Sequence, residues 1–240
     1  MYHIDRNINR KGLKLSDLQN PSNSVNFYKE KKVRKHLVLC YGRKCCYCEA
    51  IIPSTAYIQI DHFYPKGTTV LPAQFQGNQN LYNQIVNDIR NYHVACARCN
   101  ILKSDFVGES LSPNFYHDGN QWLEFDDQYI QNNIKYNGAR VECTPRYKDF
   151  CDKLKMNGWT TNEKVGLHSS SRLDRTLYLE ETKRLLHVVM RLYDNGEYED
   201  AKELLGIIEN RFEKKAHYSK MIVRNLGTAF IKLKADLKNH

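Results

Sequence analysis

YIQIDHFYPK, residues 57–66, alternates apolar and polar side chains and reads as a strand that delivers Asp61 and His62 at its end. NYHVACARCNILK, residues 91–103, holds Asn91 five residues before Cys96, Asn100 directly after Cys99, and Lys103 about one helical turn later. The Cys96/Cys99 pair has an earlier counterpart in Cys45 and Cys48. Two C-x-x-C pairs supply four thiolates, the usual ligand set of a structural tetrahedral Zn2+ site, because each tight turn faces two sulfurs toward one ion. Cys46 leaves only one residue between itself and Cys48, so Cys45 is the assigned ligand. The plainer alternative is a zinc ribbon that merely stabilises a fold. Cys40, Cys46, Cys143 and Cys151 read as buried thiols. His93 is a competing ligand, but four thiolates already close a tetrahedral site.

The rest of the chain bounds what these stretches can mean. Hydrophobic residues make up 41% of 240, which supports a packed core and excludes bulk disorder. No apolar run approaches the ~18 residues of a membrane span. The opening MYHIDRNINRKGLKL lacks the apolar segment of a signal peptide. The expectation is a cytoplasmic chain with no membrane partner, whose eight cysteines serve metal or remain free thiols rather than forming disulfides. The net charge of +9 is uneven: residues 1–44 hold 11 Lys and Arg against three acids, and the remainder holds 25 against 24. A basic arm of this kind suits a polyanion, since Lys and Arg neutralise phosphates and release counterions. A solvated helix face is the plainer explanation of the same charges.

Five zones follow from periodicity and turn chemistry. Residues 1–26 read as an extended or irregular arm. Residues 27–40 form a basic helix with Phe27, Val33, Leu37 and Cys40 near one face. Residues 43–106 carry the chemistry. Residues 107–165 form a polar linker with strand-like pieces near 122–130 and 138–143. Leu173, Leu177, Leu185, Val189 and Leu192 mark one helix of a C-terminal bundle. A turn at DNGEY leads to a second helix, and Ile222, Leu226, Phe230, Leu233 and Leu237 mark a third. DNGEYEDAKELL is similar to a helical-repeat turn, but without a second copy it reads as a plain helical hairpin. The fold class is therefore α+β and mainly helical. Its domains are a basic N-terminal arm and helix (1–42), a core (43–106), a linker (107–165) and a helical bundle (166–240).

Asp61-His62 on a strand, Asn91 in the middle, Asn100 at a helix start and flanking C-x-x-C pairs together resemble the HNH endonuclease family. The resemblance covers about 60 residues. It implies a ββα-metal core, with its first strand near 56–61 and its helix from about 97 to 106, in which His62 is the general base, and a neutral imidazole near pH 7 suits that role. It implies that Asp61 and Asn100 hold one catalytic Mg2+ or Mn2+, oxygen donors being right for a hard cation. It further implies that Asn91 bridges backbone groups, that Lys103 and Lys66 contact phosphate, and that the zinc is structural and remote from the reaction. Lys103 has the alternative of a solvated helix residue. Asn100 departs from members that end in His, and an amide is a weaker ligand. The 28 residues between His62 and Asn91 exceed what the compact motif needs. They read as a loop and short helix that either shapes a substrate groove or packs on the C-terminal helices.

CYCE followed by IDHFYPK and NYHVACARCNILKSD is similar, more narrowly, to PtuB-like HNH proteins of Septu and retron-associated anti-phage defence systems. That resemblance implies a nuclease effector working with an SMC-like ATPase partner. Three functions follow as expectations. The first is an endonuclease cutting DNA, with RNA an open alternative. The second is a zinc-stabilised nucleic-acid-binding module with vestigial HNH residues. The third is a partner-docking subunit active only in a complex.

Overall fold

The computed structural model describes residues 14–18, 24–106, 115–124, 127–137, 140–153, 168–213, 216 and 218–239. The fold is α+β and mainly helical. The chain divides into two compact units, Met1–Ile134 with Cys143–Met156, and Lys135–Glu142 with Asn157–His240. Most of the expected N-terminal arm lies outside the described residues. Within it, a 3-10 turn at Leu15–Asp17 is held by the Asp17 carboxylate, which accepts from the Lys14 amide at 3.1 Å.

In the first unit, helix α1 (Lys31–Tyr41) follows a 3-10 turn at Phe27–Lys29. Phe27, Val33, Leu37 and Tyr41 are buried at near-helical spacing, while Lys31, Lys32 and Lys35 are exposed. Gly42 ends the helix at φ 58°, a left-handed cap that favours glycine, and the Cys45–Cys48 turn follows. Strand β1 (Gln59–His62) pairs antiparallel with β2 (Tyr92–Ala95), setting Asp61 opposite His93 and His62 opposite Tyr92. Helix α1 packs against β2.

The long connection between the strands carries a 3-10 turn at Ala73–Phe75 and helix α2 (Gln79–Val86), capped by the Asn78 side chain. Its apolar face is used inside this unit: Phe75, Tyr82, Ile85 and Val86 cluster with Phe63 and Tyr64, and Trp122 packs against them. Helix α3 (Ala97–Lys103) follows β2 directly and is shorter than the expected 97–106 because Ser104 leaves helical geometry at φ 48°, ψ −129°.

The segment expected as a linker contains more regular structure. Strands β3 (Phe115–His117) and β4 (Trp122–Glu124) form a hairpin. Gly119 turns it at φ 110°, and a Cβ there would sit 2.9 Å from the Gln74 carbonyl oxygen. Gly119→Ala is therefore expected to lower stability by about 1–3 kcal/mol in a denaturant titration, since both backbone strain and a backbone clash oppose it. The strand expected near 122–130 stops at Glu124, and residues Asp127–Asn133 are helix α4, a correction to the sequence reading. DQYIQNN has too little apolar content for periodicity to separate the two states. Strands β5 (Ile134–Asn137) and β6 (Arg140–Cys143) pair in a further two-stranded sheet, and α5 (Lys148–Lys153) follows a 3-10 turn. Cys143 is disulfide-bonded, which corrects its reading as a thiol; spacing carries no signal for a bridge made by tertiary structure.

The second unit holds helices α6 (His168–Asp194), α7 (Tyr198–Glu209) and α8 (Ser219–Leu237). Leu186, Val189, Ala201, Leu205, Ile208, Phe230, Leu233 and Leu237 form their core, and Phe212 stacks on Phe230 at 4.0 Å. Leu177 is 59% exposed rather than on the buried face, and the side chain of Leu173 lies outside the described residues. The buried stripe of α6 runs through Arg175, Leu179, Thr182, Leu186 and Val189. Two polar members disguise its helical period in the sequence. Thr182 is satisfied by donating to the Tyr178 carbonyl at 2.7 Å and accepting from Arg211 at 2.9 Å. No described helix is long and apolar enough to cross a membrane.

Candidate functional site

The four predicted cysteines converge. The sulfurs of Cys45, Cys48, Cys96 and Cys99 all lie within 4.8 Å of one another, with Cys48 Sγ 3.9 Å from Cys96 Sγ. Tetrahedral zinc with Zn–S near 2.3 Å sets adjacent sulfurs about 3.8 Å apart, so this cluster can hold such an ion. Cys46 and His93 are not members. The Cys46 amide donates to the Val94 carbonyl at 2.9 Å, docking the first turn on β2, and His93 Nδ1 lies 2.7 Å from the Tyr41 hydroxyl. Cys96 also caps α3, its sulfur accepting from the Cys99 amide. Hydrogen bonds from Cys45, Cys48 and Cys99 hold the Cys96 thiol well below its ordinary range. Burial raises Cys45, and the shared hydrogen bonds raise Cys48 and Cys99. A bound cation would displace the thiol protons of the cluster. Lys44 and Glu49 bracket the turn as a wholly buried ion pair at 3.5 Å.

His62 closes β1 with its ring between two tyrosines, 4.9 Å from Tyr28 and 4.8 Å from Tyr92, both edge-on. Its Nε2 is buried and has no hydrogen-bond partner among the described residues. Burial, with the Lys66 and Lys103 charges beside it, lowers its pKa to about 3, so the ring is neutral at physiological pH. Asp61, almost wholly buried, uses one oxygen, Oδ2. That oxygen accepts from the Tyr47 hydroxyl at 2.5 Å and lies 3.5 Å from the Lys103 ammonium. Asp61 Oδ1 has no hydrogen bond among the described residues. Burial, then the neighbouring Asp61 charge, keeps the Tyr47 phenol protonated and able to donate.

Asn91 is fully buried and clamps the chain that follows His62. Its Oδ1 accepts from the Tyr64 amide at 2.7 Å, its Nδ2 donates to the Tyr64 and Val86 carbonyls at 3.0 Å each, and its own carbonyl accepts from the Phe63 amide. Asn91→Ala is expected to destabilise the protein by about 2–4 kcal/mol in chemical unfolding, because it strands a buried amide and two carbonyls. Asn100 lies on α3, half-buried, and its side chain makes no hydrogen bond among the described residues. Helix α3 packs on both β1 and β2.

The two lysines differ in setting. Lys103 is completely buried, which removes the solvated-helix alternative, and its ammonium donates to the His62 carbonyl at 2.7 Å. Lys66 sits above the Tyr28 ring at 4.0 Å and donates to the Val25 carbonyl at 2.5 Å. Burial, and then Lys29, lowers its pKa. Tyr28, Tyr47 and Tyr92 escaped the sequence reading. Only Tyr92 carried a signal, as the cross-strand neighbour that an antiparallel pairing gives His62.

No family model matches the chain, and no solved structure matches it. Over 77 residues it is 35% identical to the Septu protein PtuB of Bacillus mycoides, a match spanning 30% of this chain. That match covers 25% of the relative's own length, so the chain is a distant and partial likeness of it.

Proposed function

We propose that this protein is a metal-dependent HNH endonuclease that hydrolyses phosphodiester bonds in DNA as the nuclease of an anti-phage defence system. The observation that carries the reading is His62. It is a neutral imidazole whose buried Nε2 has no partner among the described residues, next to a carboxylate with one oxygen uncommitted. Burying a polar nitrogen without a hydrogen bond is costly, and such atoms collect where a substrate or water completes the set. The likeness to a Septu protein and the +9 charge support a nucleic-acid substrate and a defence setting.

In this reading His62 Nε2 takes the proton of a water whose oxygen attacks phosphorus. The P–O bond opposite the attack breaks, and the departing oxygen is protonated by solvent. A scissile phosphate brings negative charge to the imidazole and raises its proton affinity from the low value of the free site. Asp61 Oδ1 and Asn100 are the donors that would hold a hard divalent cation, which would neutralise charge on the phosphate. Tyr28 and Tyr92 fix the imidazole plane, and Lys103 fixes the strand end through the His62 carbonyl. Lys66 and Lys103 supply positive potential toward phosphate. The four-thiol cluster would hold zinc as a brace. Relaxation of supercoiled plasmid by the purified chain with Mg2+ or Mn2+, abolished by chelator, tests the reading.

A second reading has its own support. Leu177, Met190, Ile207, Val223 and Ile231 of the helical bundle are each about half exposed or more. They favour a partner chain on that unit, for which the resemblance suggests an SMC-like ATPase. Cleavage that appears only when a co-purifying partner is added would select this reading.

A further inference from the structure

We infer that Tyr47 is a positioning residue that ties the four-thiol knuckle to the Asp61 carboxylate and keeps its Oδ1 available to a cation. This rests on the reading of Asp61 as a cation ligand and deepens it. Each half of the cysteine cluster sends one side chain to the same oxygen. Tyr47 stands between Cys45 and Cys48, and its hydroxyl meets Asp61 Oδ2 at 2.5 Å. Lys103 ends the helix that Cys96 caps and Cys99 enters, and its ammonium faces the same Oδ2 at 3.5 Å.

The two anchors are unequal. The Lys103 distance is long for a charge-assisted hydrogen bond, which runs near 2.7–2.9 Å, and Lys103 lies at that range from the His62 carbonyl instead. Tyr47 is fully buried, and its loop is fixed on both sides, by the Cys46 amide on the Val94 carbonyl and the Glu49 amide on the Cys45 carbonyl. A hydroxyl held this rigidly restrains the carboxylate from turning onto the ammonium. Were the restraint lost, the carboxylate would close on Lys103, and a divalent cation would have to displace a buried ion pair. Gathering the four thiols around one ion therefore also sets the carboxylate.

The test is Mn2+ binding to the zinc-loaded full chain, read from the electron paramagnetic resonance of free Mn2+. Tyr47→Phe keeps the ring and removes the hydroxyl. It is expected to retain zinc at the parental stoichiometry and to weaken Mn2+ binding about tenfold. In a Lys103→Met background the same change is expected to weaken binding less than threefold, because the competitor is gone. Mn2+ affinity within twofold of the parent, with zinc retained, overturns the inference. An Asp61→Asn variant that binds Mn2+ as well as the parent sinks the cation-site reading itself instead. Should Tyr47→Phe fail to fold, 3-fluorotyrosine at position 47 preserves size and hydrogen bond. Its fluorine resonance is expected to move in Asp61→Asn, and a resonance that stays put overturns the inference.

Discussion

His62→Ala is expected to lower plasmid cleavage by about 10³–10⁴-fold while leaving the zinc content and the thermal midpoint close to those of the parent. General-base catalysis contributes roughly 10²–10⁴. The upper part of that range is expected because His62 is the imidazole that closes β1 next to the carboxylate with an uncommitted oxygen. The fold should tolerate the change, since the structural bond at this residue runs from Lys103 to the backbone carbonyl, which alanine keeps. Truncation also removes a buried nitrogen without a partner, offsetting the packing lost against Tyr28 and Tyr92. The acid side gives an independent check. His62 binds a proton less readily in the folded protein than in the unfolded chain, with a folded pKa of about 3 against an ordinary 6.5. The stabilisation this supplies is complete above pH 6.5 and is lost as pH falls toward 3. Denaturant titrations across that window should fall more steeply for the parent than for His62→Ala. Cleavage that persists in His62→Ala would show that another group activates the water.

The reach of sequence reasoning here follows how local each signal is. The Cys45/Cys48 and Cys96/Cys99 pairs were legible because a C-x-x-C turn aims two sulfurs whatever surrounds it, and the four thiols do converge. The strand ending in Asp61-His62 was legible from its alternation, and the helix after Cys96 from the resemblance of the motif around it. Helix α4 was not, since DQYIQNN has no amphipathic pattern to separate helix from strand. The face of α6 was not legible either, because two polar residues, Arg175 and Thr182, occupy its buried stripe, and Thr182 is satisfied by the helix backbone and by Arg211, remote in sequence. The same limit hid Tyr47. Its partner lies 14 residues away across two elements, and a tyrosine inside a cysteine turn carries no period or motif. The burial of Lys103 was hidden likewise, because its partners Asp61 and the His62 carbonyl are some 40 residues upstream.

Metal removal should have the largest effect on stability. Cys99→Ala, or prolonged chelation of the parent, is expected to abolish zinc binding and to unfold the unit containing β1, β2 and α3. Binding of structural zinc is worth about 10–16 kcal/mol in small zinc domains, against total stabilities of about 5–15 kcal/mol for whole domains. Losing most of it outweighs what the aromatic cluster around Tyr64 and Phe75 could retain. The effect should spread to the site. Cys96 caps α3, the first turn docks on β2 through Cys46, and Tyr47 and Lys103 reach Asp61 from the two halves of the cluster. The core of the helical bundle contains none of these cysteines, so much of the far-ultraviolet helical signal should survive while tyrosine burial in the first unit is lost. The control is Cys46→Ala. Its sulfur stands outside the four-thiol cluster, so the variant should keep zinc and lose only the ~1–2 kcal/mol of a small buried side chain. Measured zinc stoichiometry decides the assignment: retention in Cys45→Ala with loss in Cys46→Ala would move the ligand by one residue and break the link between Tyr47 and the knuckle.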